Sequence, residues 1–200
     1  MCEGTPLTAA HTAQVAQLAH DRGLGMHLDG ARVFNAAAAL GVDVRELVHE
    51  ADSVMFCLSK GLSAPVGSLL CGSADFIAEA RRARKVVGGG MRQAGVLAAA
   101  GLVALEQVVP RLGEDHARAR RLAEGWAEVP GVEVAPVKSN MVYFRLTGEA
   151  PKTQEALVSA LAERGILVLS RLEGRFRAVT HLWICDEDVE VAIEAMREAV

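Results

Sequence analysis

The chain has 200 residues, of which 51% are hydrophobic and 23% charged, and a formal net charge of −4. That apolar content can fill the core of a soluble subunit of one or two domains, and the acidic balance leaves no electrostatic footprint for nucleic acid. The four cysteines, Cys2, Cys57, Cys71 and Cys185, form no CxxC pair or local Cys/His set, so no metal is expected and the thiols read as reduced, in a cytoplasmic protein.

No charged n-region with a following apolar h-region opens the chain, and no apolar run is expected to reach membrane-spanning length. Thr8 stands as the N-cap of a helix running to about Asp21, with Val15, Leu18 and Ala19 on its apolar face and Gly23 beyond its end. The pattern then predicts a strand over 25–28, a helix over 31–40 and strands over 53–58 and 66–71. Helices over 74–84, 93–108 and 114–126 follow, punctuated by Pro110 and Pro130, which place the domain change in a helical link. Strands over 132–137, 141–146, 166–170 and 175–180, with helices over 151–164 and 186–199, complete an α/β chain. The basic stretch Arg81-Arg82-Ala83-Arg84-Lys85 has no interleaved aromatic residues and reads as a solvated helix face. His11, His20, His49 and His116 read as residues of polar helical surroundings, Trp126 and Trp183 as packing residues, and Cys57 and Cys71 as buried thiols.

Chemistry concentrates in two clusters. Lys60 lies in Cys57-Leu58-Ser59-Lys60-Gly61-Leu62-Ser63-Ala64, just past the apolar strand Ser53-Val54-Met55-Phe56. An amine beside a strand end, a hydroxyl and a glycine suits imine chemistry, although most lysines are solvated surface charges. Upstream, His27-Leu28-Asp29-Gly30-Ala31-Arg32 places a carboxylate where another short apolar stretch ends. Pyridoxal phosphate needs this pair, a lysine for its aldehyde and an acid for its pyridinium nitrogen. In open α/β sheets such ligands bind beyond the carboxyl ends of the strands. The plainer alternative makes Asp29 a helix cap and Arg32 a surface residue.

The cluster at 27–32 resembles the aspartate signature of the low-specificity L-threonine aldolases. The likeness continues through Ala64-Pro65-Val66-Gly67-Ser68, through Lys85-Val86-Val87-Gly88-Gly89-Gly90-Met91-Arg92-Gln93-Ala94-Gly95, and through Arg177-Ala178-Val179-Thr180-His181-Leu182, in family order over nearly the whole chain. The resemblance implies a fold-type I pyridoxal-phosphate enzyme: an incomplete cofactor domain over 1–112, a helical link over 113–130 and a small C-terminal domain over 131–200. It implies that Lys60 takes the cofactor's aldehyde, Asp29 pairs with the pyridinium nitrogen, and Arg32 lies near the ring's phenolic oxygen and the substrate. Arg177 is the implied ligand of the substrate carboxylate, with Arg175 two residues away left as an alternative. Lys85 and Arg92 flank the glycine-rich bend and are implied site residues, Arg92 toward the cofactor and Lys85 toward the substrate, at a site shared between subunits.

The implied reaction is cleavage of L-threonine, L-allo-threonine and related β-hydroxy-α-amino acids to glycine and an aldehyde, by a homodimer or homotetramer that needs neither nucleic acid nor membrane. β-Elimination on the same fold is the enzymatic alternative. The other alternative is a catalytically incompetent chain, because members of the family carry a long segment before the position matching Met1. That segment supplies a glycine-rich phosphate loop, a histidine stacked on the ring and the candidate bases. No base is therefore nominated here. His27 shares a strand face with Asp29 and is expected to brace it.

Overall fold

The computed structural model describes residues 3–148, 150, 153–170 and 174–200. The chain forms two compact units, one over Pro6–Leu112 and one that joins Met1–Thr5 to Gly113–Val200.

The first unit opens with helix α1, Ala9–His20, capped by Thr8 Oγ1, which accepts the His11 N–H at 3.3 Å. Gly23, at φ +66°, closes its far end. The buried side of α1 carries Thr12 and Ala16, whereas Val15 and Leu18 are exposed, so the expected apolar face is not the packed one. The helix lies against the short helix Val44–Val48, and its buried residues are small.

Strand β1, His27–Asp29, is followed by α2, Val33–Leu40, then α3, Val44–Val48, and β2, Ser53–Cys57. β1 and β2 pair in parallel, with Asp29 level with Met55. A parallel pair requires a crossover, and α2 and α3 supply it. The crossover packs Val33, Ala37 and Leu47 together, with Phe34 and Phe56 edge to face at 5.2 Å. β3, Ser68–Gly72, returns antiparallel to β2, giving the order β1-β2-β3. All five residues of β3 are exposed. Cys71 on β3 is therefore an exposed thiol and Cys57 a half-buried one, in contrast to the buried pair expected.

Helix α4, Ala74–Val86, buries none of its residues, and Arg81, Arg82 and Arg84 are the solvated face expected of them. α5, Gly95–Val103, passes through a π turn, Ala104–Val108, and a 3-10 turn, Val109–Arg111, into α6, Leu112–Ala127. Pro110 does not break this helix, because it sits in the tight turn, where the amide it lacks can be spared. The resulting run Gly95–Ala127 is long and apolar enough to cross a membrane by length and composition, which corrects the expectation drawn from the sequence. Ala104, Val108 and Leu112 are buried, but only 22% of the run's apolar window is buried within the chain.

The second unit is built on an antiparallel sheet of order β4-β5-β7-β6, formed by Val132–Val134, Met141–Leu146, Arg175–Val179 and Leu169–Ser170. α6, α7 (Gln154–Glu163) and α8 (Asp186–Ala199) supply the rest of its core. The fully buried Trp126 stacks edge to face on Phe144 at 4.7 Å and donates its indole N–H to the Ala192 carbonyl at 3.0 Å. Trp183, by contrast, is 75% exposed and is not the packing residue expected. His116 is buried on α6, unlike the polar surroundings expected for it, and burial, with Arg120 nearby, lowers its pKa. The expected helix start at 151 lies outside the described residues; the described helix begins at Gln154 behind Thr153.

Candidate active site

Parallel pairing decides where the two sequence clusters meet. Asp29 ends β1 opposite Met55, and the chain continues the ladder beyond it: the Gly30 N–H donates to Met55 O at 2.9 Å and the Cys57 N–H to Ala31 O at 3.4 Å. Lys60 follows β2 by three residues, so both side chains leave the C-terminal ends of neighbouring parallel strands. That is where open α/β sheets bind ligands.

The lysine turn is closed by backbone bonds. The Ser63 N–H donates to Lys60 O at 3.0 Å, the Ala64 N–H to Leu58 O at 3.0 Å and the Leu58 N–H to Gly67 O at 3.0 Å. Ser63 takes φ +57°, an uncommon conformation held by those bonds. Leu58, Gly61, Leu62 and Ala64 are buried while Lys60 is exposed, so the turn is anchored beneath and free at its amine. A Cβ at Gly61 would overlap the buried Asn35 amide of α2, and a Cβ at Gly30 would stand 3.0 Å from Met55 O. A side chain at Gly61 would displace that amide, and one at Gly30 would crowd the β2 backbone.

Asp29 is exposed, and its Oδ1 accepts the Ala31 N–H at 3.1 Å. It does not cap α2, whose first turn follows Arg32 without a side-chain cap. Arg32 is half-buried at the root of that helix. His27 bonds Ser53 Oγ at 2.9 Å through Nδ1, so it braces β2 where a brace to Asp29 was expected. The start of β1 is pinned separately: Asp52 accepts the Met26 N–H at 2.6 Å and pairs with His20 at 2.9 Å, and both bonds lower its pKa.

Lys85 and Arg92 lie at the two ends of another bend. The Gly88 N–H donates to Lys85 O at 3.2 Å, and the Lys85 stem passes over Gly90, leaving 2.7 Å between its Cδ and any Cβ there. Val86, Val87, Met91 and Val96 around this bend are 60% to 81% exposed.

Arg177 belongs to the second unit. It sits on β7 between Tyr143 of β5 and Leu169 of β6, on the sheet face opposite the core side chains Phe176 and Ala178. Arg175 shares that face, and its guanidinium donates to Glu3 Oε1 at 2.8 Å. Clefts among the described residues of this unit are lined without Lys60. One of about 480 Å³ lies between α6 and α8, where Arg118 pairs with Asp186 and Arg121 with Glu190. Another, of about 240 Å³, is lined by Glu3, Tyr143, Arg145 and Arg175. Neither cleft includes Lys60, and chemistry at an aldehyde needs the amine. Among the described residues no group of three or more potential metal-ligating side chains occurs.

Comparison with known proteins decides the family. The sequence profile of the beta-eliminating lyases matches residues 1–148. The chain belongs to the beta-eliminating lyase family. Among relatives in that family, the chain is 45% identical to low-specificity L-threonine aldolase 1 of Arabidopsis thaliana, covering 98% of this chain and 56% of that one. It is 42% identical to the low specificity L-threonine aldolase of Escherichia coli (strain K12), covering 94% and 55%. The solved threonine aldolase of Leishmania major superposes with a TM-score of 0.75 at 18% identity, covering 100% of this chain and 59% of that one, and so shares the fold. The chain thus spans about half the length of the curated relatives it matches. The α/β, fold-type I architecture expected from the sequence is the architecture found.

Sequence reasoning missed Asn35. Its signal was present, as a lone polar residue inside the apolar run Val33-Phe34-Asn35-Ala36-Ala37 that closes a helix face.

Proposed function

We propose that this chain acts in pyridoxal-phosphate-dependent aldol cleavage of L-threonine, L-allo-threonine and related β-hydroxy-α-amino acids, giving glycine and an aldehyde. The observation that carries this reading is the placement of Asp29 and Lys60 at the ends of adjacent parallel strands. The names of the relatives supply the substrate class. The residues present fit the cofactor: an exposed amine and an exposed carboxylate leave one sheet edge, beside two glycines where a Cβ would be crowded.

Bound pyridoxal phosphate supplies the sink for the electron pair released when the Cα–Cβ bond breaks. Lys60 Nζ would be the amine that holds the cofactor through its aldehyde carbon. Asp29 holds the proton on the pyridine nitrogen, its carboxylate oriented by the Ala31 N–H. Arg32, at the root of α2, is assigned to the phenolic side of the ring, Arg92 to the cofactor and Lys85 to the substrate. Arg177 takes the substrate carboxylate in a forked, charge-assisted pair. The exposed apolar residues around the Lys85–Arg92 bend support self-association of the subunit as a dimer or tetramer. The free thiols of Cys57, Cys71 and Cys185 support a cytoplasmic setting.

The family name keeps β-elimination as the rival reaction. Product analysis with L-threonine separates the two. Glycine with acetaldehyde establishes the aldolase, whereas ammonia with a keto acid establishes elimination and sinks this reading.

A further inference from the structure

We propose that Asn35 is the positioning residue for Lys60, its buried amide seated against the α-carbon of Gly61 so as to fix the turn that carries the lysine. The inference rests on the reading of Lys60 as the cofactor lysine.

Asn35 is 2% exposed and lies in the first turn of α2, three residues after Arg32 and among apolar neighbours. Burying an amide costs free energy that an alanine or leucine would not. An amide kept at such a place therefore has a task beyond filling space. What it faces is the backbone of the residue after Lys60: a Cβ at position 61 would overlap Asn35 Oδ1 and stand 2.9 Å from Cγ and 3.2 Å from Nδ2. The turn it supports holds Ser63 in a left-handed conformation that relaxes unless its surroundings over-determine it.

The same helix sets the other half of the pair. α2 begins one residue after Asp29-Gly30-Ala31, and Gly30 and Ala31 both bond to the β2 backbone. The Val33 N–H also donates to Gly30 O at 2.8 Å. One short helix thereby references the carboxylate at one strand end to the amine beyond the other. Asn35 touches no reacting atom in this scheme; it acts through Gly61.

The test compares the wild-type protein with Gly61→Ala, Asn35→Ala and the double variant. Amide hydrogen exchange over residues 58–64 is read by mass spectrometry, and pyridoxal phosphate is titrated by the visible absorbance of its lysine-bound form. Gly61→Ala alone should lower exchange protection of the turn and weaken cofactor capture, each by about tenfold or more, because the new methyl meets the amide. In the Asn35→Ala background the same methyl should cost almost nothing further. Asn35→Ala alone should shift the pH midpoint of cofactor capture, which a loss of global stability does not move. Equal damage from Gly61→Ala in both backgrounds, or an Asn35→Ala variant with unchanged exchange and pH midpoint, overturns the proposal. Absence of any Lys60-dependent absorbance in the wild-type protein overturns the cofactor reading instead, and hydrogen exchange still decides whether Asn35 holds the turn.

Discussion

Replacing Trp126 by phenylalanine tests how the unit bearing Arg177 is held together. The indole is fully buried, packs edge to face on Phe144, and donates its N–H to Ala192 O on α8. Phe144 in turn stacks on Phe176 at 4.9 Å, and Phe176 is the strand neighbour of Arg177. The substitution removes one buried hydrogen bond, worth about 1 kcal/mol. It also deletes two ring carbons, at about 0.8 kcal/mol each, and leaves a small void that the aromatic stack fills only in part. The sum is a loss of roughly 3 kcal/mol, a large share of a marginal stability. Urea unfolding followed by far-UV circular dichroism reads it directly, with the wild-type slope as the check on two-state behaviour. A loss below about 1 kcal/mol would refute the reasoning, since the hydrogen bond alone accounts for that much.

Further outcomes follow from the same geometry. Arg177→Ala should raise the KM for L-threonine by roughly 30-fold or more, the cost of losing a forked charged pair, while Arg175→Ala removes only an exposed ion pair with Glu3 and should change KM less than about threefold. Steady-state kinetics checks this, and the reverse order would exchange the two roles. His116 has a pKa lowered by burial, so the unfolded chain binds its proton more readily than the folded one, and stability should fall as pH drops below about 6.5. A His116→Gln variant should show a flatter stability profile through that range in urea unfolding at successive pH values. Gly125→Ala should destabilise despite the better helix former, because the added methyl would meet Ile193 of α8 at 2.5 Å, and thermal unfolding reads the sign.

Local signals made much of this fold legible. Thr8 capped its helix as expected, and the strand expected over 141–146 and the helix expected over 186–199 have those bounds in the structure. The Asp29 and Lys60 clusters could be placed at strand ends because each follows a short apolar run. Helix α3 was missed although Asp43 and Glu46 form a readable capping box, because five residues are too few to show a period. Pro110 misled for a different reason: a proline is read as a break, yet a π turn before it and a tight turn around it carry the helix through.

The remaining misses concern partners distant in sequence. Nothing local tells that Glu3 pairs with Arg175, or that Ser139 Oγ donates to Gly4 O at 3.0 Å, across more than 130 residues. Nor does a single helix show that Asn35 sits on Gly61, since each half of that contact looks ordinary alone. Exposure was the least legible property. Val15 and Leu18 read as an apolar helix face, yet both stand exposed, as do Leu69 and Leu70 of β3.

The central claim is that Lys60 and Asp29 together hold pyridoxal phosphate. Its most direct measurement is an absorbance titration of the purified protein with pyridoxal phosphate, run beside Lys60→Ala and Asp29→Asn. The account predicts a visible band of the protonated, lysine-bound cofactor in the wild-type protein. Lys60→Ala should abolish that band, and Asp29→Asn should weaken it and shift its pH dependence. A band that survives Lys60→Ala would contradict the account, placing the reactive amine elsewhere in the chain.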